Sequence, residues 1–286
     1  MKPDQAPVGA IASAGAQPPL GGSTSTVLVP TRPRPVSCVK HLTVSVRVLC
    51  DNRTMTDDEV VRAVRALVAA GEYLDQIPGV PGARLSGGGH FLGNRRIYTR
   101  GSPEYLEARA AGLVERLPPL TPVSPAAVQE AENLLGHRLP SLLRRLYLEV
   151  GNGGFGPGYG ILGVRGGHGD DYGHTAVDLH QQARSEAWPA WSSMPAGLLP
   201  ICHWGCGIYS LIDCADHQAR MWAWDPNPAP DDDLGKALFP QAIGFREWLA
   251  QWVSGRLYQP ALVQDPDTGQ WRGATDEEYA IWMAES

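Results

Sequence analysis

The sequence lacks any long apolar run. No stretch approaches the roughly 18 apolar residues that a membrane-spanning helix needs, and residues 9–16 are too short and too weakly apolar for a good signal peptide. Lysine is scarce as well, with 3 Lys against 21 Arg, a composition typical of bacteria with GC-rich genomes. We therefore expect a bacterial, cytoplasmic protein that does not bind a membrane.

Cysteine is sparse, and its spacing is irregular. The chain has five cysteines, and an odd, scattered set does not make a disulfide framework, so a reducing compartment is the simpler interpretation. Cys202, Cys206, Cys214 and His217 could be drawn as a zinc site, which stays the alternative. Their C-x₃-C and C-x₂-H spacings are not standard for zinc. Alternation from Cys206 to Cys214 along one strand instead predicts buried thiols, with no metal and no cofactor.

The chain also lacks a phosphate-binding loop. Gly151, Gly153 and Gly156 match the G-x-G-x-x-G pattern, but they follow a predicted helix and lead into a predicted strand. The dinucleotide motif has the opposite context, because it follows a strand and opens a helix. Residues 86–90 (SGGGH) lack the G-K-[ST] ending of a phosphate loop. We therefore predict that Gly151, Gly153, Gly154 and Gly156 form a structural turn.

Residues 165–195 are rich in His, Asp and Trp. Six of these side chains could bind a divalent metal ion or serve acid–base chemistry: His168, Asp170, Asp171, His174, Asp178 and His180. Because the segment is also rich in glycine, we expect an exposed polar loop, with a partner-binding loop as the next alternative and a metal site as the third. Trp188 and Trp191 are candidate anchors of a protein interface.

Two short helices are predicted within residues 124–164. Ser124 is a suitable N-cap, Pro125 occupies the first helical position, and Gly136 can end the helix in a left-handed conformation. Pro140 opens the second helix, and Gly151 ends it. The apolar stripes of the two helices comprise Val128, Ala131, Leu134, Leu135, Leu142, Leu143, Leu146, Tyr147 and Val150.

This pattern resembles the start of a SUKH-superfamily domain, the superfamily related to the yeast cell-wall assembly regulator. The resemblance rests on L-P-x-x-L-x-x-L-Y, G-N-G-G-F-G-P and I-L-G, followed by a strand, a hairpin and a closing helix in residues 198–201, 204–213, 221–225 and 245–253. It covers about residues 122–255. It implies an α+β fold with a mixed sheet and flanking helices. Many bacterial members resemble immunity proteins that block a toxin domain, often a nuclease, and no catalytic residues are implied.

Composition and periodicity divide the chain into five segments: a disordered leader (1–35), a small α/β domain of unknown role (36–116), a Pro-rich linker (117–121), the SUKH-like domain (122–255) and a hairpin with a short helix (256–286). In the second segment, residues 42–50 predict a strand, and Thr56 with Glu59 predicts a helix capping box. We expect the basic cluster of Arg95, Arg96 and Arg100 to be a solvated surface, because stacking aromatics are sparse around it.

Acidic charge is concentrated in the C-terminal part. Residues 1–116 hold 14 Lys plus Arg and 10 Asp plus Glu, whereas residues 117–286 hold 10 and 20, net charges of +4 and −10. Acidic surface repels nucleic acid and attracts basic proteins, so we expect a protein partner and no nucleic acid; charge that serves only solubility is the alternative. The predicted contact residues are Asp170, Asp171, Asp231, Asp232 and Asp233, with Trp188 and Trp191.

Three functions are ranked on these grounds. The first is a non-enzymatic immunity protein that neutralises a bacterial toxin domain by occlusion. The alternative is an intracellular regulatory scaffold of the cell-wall assembly regulator type. The third is a metal-dependent hydrolase that uses the His/Asp segment of residues 168–180. The oligomeric state does not follow from the sequence.

Overall fold

The computed structural model describes residues 54–81, 90–92, 95–185, 194–230 and 233–285. Several sequence predictions lie outside these residues: the disordered leader, the strand of residues 42–50, most of the SGGGH segment, Trp188, Trp191, Asp231 and Asp232. Among the described residues, no helix combines the length and apolar character needed to cross a membrane.

Seven α-helices occur in the described residues. They are α1 (Asp57–Ala70), α2 (Pro103–Ala110), α3 (Pro125–Leu135), α4 (Ser141–Glu149), α5 (Ala176–Gln182), α6 (Phe245–Val253) and α7 (Asp276–Glu285). The described strands form three sheets. They are β1 (Gln76–Pro78), β2 (His90–Leu92), β3 (Arg95–Thr99), β4 (Leu198–Gly205), β5 (Ile208–Asp213), β6 (Arg220–Trp224), β7 (Leu238–Gly244), β8 (Leu262–Gln264) and β9 (Trp271–Gly273).

The main sheet has the strand order β4-β5-β6-β7, the small N-terminal sheet β1-β3-β2, and β8 pairs with β9. The predicted α+β class is confirmed. Every strand pair in the described residues is antiparallel, so the main sheet is not the mixed sheet that the resemblance implied. A parallel contact occurs as an isolated bridge between Leu74 and Gly156.

Local capping explains where the first helices begin and end. The Thr56 hydroxyl accepts from Glu59 N, and the Glu59 carboxylate accepts from Thr56 N, which completes the predicted capping box. Ser124 caps α3 by accepting from Ala127 N, and Gly136 ends it with φ 73°. The helix bounds were therefore predictable from the sequence. The predicted stripe is wrong at Leu134, which is exposed.

One hydrophobic core spans most of the described chain. Val60, Val61 and Val64 of α1 belong to the same cluster as the buried faces of α3, α4 and α6 and the main sheet. A smaller cluster comprises Ile77, Tyr98, Tyr105 and Ala108. The predicted linker is itself bonded to the N-terminal part, because Tyr73 Oη donates to Pro118 O at 2.7 Å and Leu117 N donates to Gly71 O at 3.0 Å. The division into separate domains stays a prediction.

The basic cluster of the N-terminal part is paired internally. Arg96 is buried, Arg95 contacts Glu115 at 2.7 Å, and the Arg100 guanidinium lies 3.4 Å from Asp75. The expectation of a solvated surface is therefore wrong for Arg96 and Arg100. Spacing along the sequence does not reveal such partners, because Asp75 and Glu115 come from other elements.

Candidate functional site

One end of the main sheet brings together segments that are far apart in the sequence. Tyr209, near the start of β5, pairs with Trp224 at the end of β6, and Trp224 pairs with Leu238 at the start of β7. The side chain of Asn227 donates from Nδ2 to Cys206 O at 3.1 Å. The start of the loop after β6 therefore lies beside the β4–β5 turn.

The loop that follows the glycine turn reaches the same end of the sheet. Tyr159 N donates to His203 O at 3.0 Å, and Tyr209 Oη donates to Asp170 Oδ2 at 3.2 Å. Acidic residues of both loops lie near one sheet end, which we call the acidic sheet end: Asp170, Asp171, Asp225 and Asp233. Asp225 is buried and its carboxylate accepts from Leu262 N at 3.0 Å, so it adds little to the charge of the surface. Three of these four residues were predicted contact residues, and the bonds of the two loops to the sheet explain why they lie near the same end.

Three rings stack at the acidic sheet end. The imidazole of His203 lies between Tyr159, with ring centroids 5.4 Å apart, and Tyr209, with centroids 4.8 Å apart. The His203 side chain is only 7% exposed, and its Nδ1 atom lies 3.9 Å from Asp171 Oδ2. Burial lowers the pKa of His203, although the nearby Asp171 and Asp170 carboxylates oppose this change. We call these three residues the aromatic stack.

The aromatic stack was not predicted from the sequence. His203 and Tyr209 are cross-strand partners in the β4–β5 hairpin, so a predicted register for that hairpin would have paired them. No local signal places Tyr159 beside them, because its loop reaches the sheet through tertiary contacts. The pairing of His203 with Tyr209 could therefore have been predicted from the sequence, whereas the position of Tyr159 could not.

Asp170 has a structural position rather than an exposed one. Its side chain is only 1% exposed. The carboxylate accepts from Tyr172 N at 3.0 Å and His174 N at 2.8 Å, in addition to Tyr209 Oη. Such bonds order the loop around a buried acid. The neighbouring Asp171, by contrast, exposes 66% of its side chain.

The rest of the His/Asp segment also differs from the expected exposed polar loop. Thr175 and Asp178 form the capping box of α5. His180, on the same helix, is buried, and its Nε2 lies 3.0 Å from Ala196 O. The six candidate residues therefore serve several local structural purposes. Among the residues that the structure describes, no group of three or more His, Cys, Asp or Glu side chains is arranged to hold a metal ion.

The four residues of the zinc alternative do not converge. Cys202 is buried in β4, where its Sγ donates to Pro157 O at 3.3 Å. Cys206 lies exposed in the β4–β5 turn with φ 50°, whereas Cys214 follows the opposite end of β5. Burial raises the pKa of Cys202 and raises that of Cys214 to about 12, so both stay protonated thiols. The predicted strand position is wrong for Cys206.

The glycine-rich segment forms a tight turn that leads to the aromatic stack. Gly153 and Gly156 have φ values of 76° and 123°, which favour glycine. Asn152 fixes the turn, because its Oδ1 accepts from Val164 N at 2.9 Å and its backbone oxygen accepts from His168 N at 2.9 Å. The segment continues into the isolated bridge at Ile161 and does not open a helix.

Residues 122–251 match the model of the SMI1 / KNR4 family (SUKH-1), which confirms the resemblance for this segment. No curated protein and no solved structure shows a significant match to the chain. The matched segment includes the aromatic stack and the whole acidic sheet end. Residues 54–121 and the C-terminal extension lie outside it.

Proposed function

We propose that the chain is a non-enzymatic protein-binding module, and specifically an immunity protein that binds a bacterial toxin domain and occludes its active site. The acidic sheet end supports this proposal most directly. There, Asp171, Tyr172 and Tyr159 are exposed together on a SUKH-1 domain. Exposed aromatic and charged side chains at one place are typical of a protein interface.

The charge of this surface suits a basic partner. Nucleases are basic where they contact phosphates, so an acidic surface can cover those contacts and accelerate association. Asp233 lies 3.1 Å from Lys236, and both side chains are about half exposed, so Lys236 partly neutralises this carboxylate. Asp231, Asp232, Trp188 and Trp191 stay proposed contact residues.

A hydrolase has less support from the donor geometry. The Asp170 carboxylate is buried and already accepts three hydrogen bonds, and Asp178 caps a helix. A catalytic metal site or acid–base pair needs side chains that face a common open position. The regulatory scaffold stays the alternative, because the SMI1 / KNR4 match is compatible with either kind of binding protein.

Growth rescue tests the immunity proposal. The full chain is co-expressed with a toxin encoded beside its gene, and we expect growth to recover and a complex to form between the purified proteins. An adjacent toxin that stays lethal and does not bind would overturn the immunity proposal. Binding to a non-toxic partner would favour the scaffold instead.

Charge reversal tests whether the acidic run of residues 231–233 steers the partner in that complex. We expect substitution of Asp231, Asp232 and Asp233 by Lys to slow association about tenfold and to flatten its salt dependence, because steering of a basic partner is lost. A matched control variant reverses Glu104, Glu107 and Asp267, which are exposed on α2 and in the β8–β9 turn. It changes the net charge by the same amount but should slow association less. Stopped-flow binding measures both variants. Equal association rates for the two would refute electrostatic steering by this surface.

A further inference from the structure

We propose that Asp171, Tyr159 and His203 form a binding site for an arginine guanidinium. This inference rests on the proposed function only for the source of the arginine, which would be a basic face of the partner protein. The site itself can be tested without that partner. It assigns a specific recognition chemistry to one part of the acidic sheet end.

Two exposed groups fit the two ways in which arginine is recognised. The Asp171 side chain is 66% exposed, and Tyr159, which is 47% exposed, forms the outer layer of the aromatic stack. A guanidinium is planar, donates to carboxylates through a fixed fork of N–H groups and stacks on aromatic faces. Tyr172, the most exposed large side chain of this loop at 82%, can flank the same ligand. A lysine ammonium is not planar and could not stack on the ring in this way.

The buried imidazole supplies the second, independent observation. His203 Nδ1 is enclosed, and within the described part of the chain it has no hydrogen-bond partner. The Asp171 oxygen at 3.9 Å is too distant for a hydrogen bond. An unpaired buried nitrogen is costly, so a ligand that donates to it recovers free energy. Rotation of the exposed Asp171 side chain would admit one N–H of a guanidinium to Nδ1 while another contacts the carboxylate.

The protonation state of His203 suits this role near neutral pH. Burial lowers its pKa, so the ring is neutral and one nitrogen can accept a hydrogen bond. The groups that face the ring are the Asp170 and Asp171 carboxylates on the adjoining loop, and the Tyr159 and Tyr209 rings on its two sides. Protonation in acid would remove the acceptor, so arginine binding should weaken as the pH falls.

Titration of the full chain with N-acetyl-arginine amide tests the site. We expect the His203 Cε1–H and Tyr159 ring resonances in ¹H–¹³C spectra to shift and to saturate with a dissociation constant of about 5 mM. N-acetyl-lysine amide should bind at least about fivefold more weakly, because it offers no planar fork. The D171N variant should lose the saturable response. The matched D267N variant changes one exposed carboxylate in the β8–β9 turn and should keep it.

Each result separates this site from the proposed function. Equal responses to the arginine and lysine probes, or a response that persists in D171N, would overturn the guanidinium site. A toxin complex that forms normally with D171N would show that the toxin does not use this site, and would overturn the partner protein as the source of the arginine. An arginine-selective response in a protein that rescues no toxin would retain the site and overturn the immunity proposal.

Discussion

Individual histidines of the His/Asp segment differ in their surroundings more than their common sequence context suggests. His168 Nε2 contacts Tyr159 O at 2.8 Å, whereas His174 faces Asp170 and His180 is buried against Ala196 O. Residue type and glycine content predicted one exposed loop. The burial of His180 depends instead on which face of α5 packs against the core. A helix of seven residues has too short a periodic pattern to predict that face.

The buried His180 should make stability depend on pH. Burial lowers its pKa below the ordinary value of 6.5, so the unfolded chain binds more protons than the folded protein as the pH falls through 6.5. The free energy of unfolding should therefore decrease from about pH 7.5 to about pH 5.5. His203 contributes in the same direction, because its pKa is also lowered by burial.

Urea denaturation at the two pH values measures this effect. H180Q should show a smaller loss of stability on acidification than the unsubstituted protein, and H217Q, which changes an exposed histidine, should not. Burial raises the pKa of Asp75, which acts in the opposite sense, but this contribution is common to all three proteins. An undiminished pH response in H180Q would contradict the assignment.

At the scale of elements, helices were more predictable than turns. The bounds of α3 follow from the Ser124 cap, Pro125 and Gly136, and α4 begins directly after Pro140. For α6 the local signal is an apolar stripe with helical spacing, and its bounds came from the family resemblance. The predicted strand containing Cys206 is wrong, because Cys206 and Gly207 form the β4–β5 turn. Cys206 adopts φ 50°, a conformation that is uncommon for cysteine and that the sequence therefore does not predict. Alternating apolar residues alone could not mark where the hairpin reverses.

The glycine-rich segment offers a matched pair of substitutions. Gly153 and Gly166 have nearly the same φ, 76° and 77°, but a Cβ at Gly153 would lie 2.5 Å from Ile161 O, whereas Gly166 has open space around it. We expect G166A to cost about 1 kcal/mol through backbone strain alone. G153A should cost about 3 kcal/mol or more, because the turn must move. Urea denaturation measures both, and equal losses would show that backbone strain alone accounts for the effect.

At the scale of the whole molecule, one polar network joins the N-terminal part to Gly158, in the segment that matches the SUKH-1 model, and to Trp252, directly after that segment. Asp75 accepts from Trp252 Nε1 at 2.9 Å and from Gly158 N at 3.1 Å. Arg100 donates to Trp252 O at 3.0 Å, and its guanidinium lies over the Trp252 ring. Local sequence patterns predicted the helices on both sides of this network. They could not predict the network itself, because its members are separated by up to 177 residues.

Removal of Arg100 tests the contribution of this network to stability. R100M should lower the free energy of unfolding by about 2 kcal/mol, because it leaves the largely buried Asp75 carboxylate without its cation. R95M breaks the more exposed pair with Glu115 and should cost less than about 0.5 kcal/mol. Thermal or urea unfolding compares the two. A cost for R100M no greater than that for R95M would indicate that the network adds little.

The position of α1 has a practical consequence for work with fragments. Its valines pack in the same interior as α4 and α6, and Asp57 forms an ion pair with Arg246. A recombinant piece cut at residues 122 and 251 would expose the apolar faces that α1 covers, and such patches promote self-association. Self-association of that fragment would result from the absence of α1. Fragments used in binding assays should therefore start before residue 54, so that they include α1.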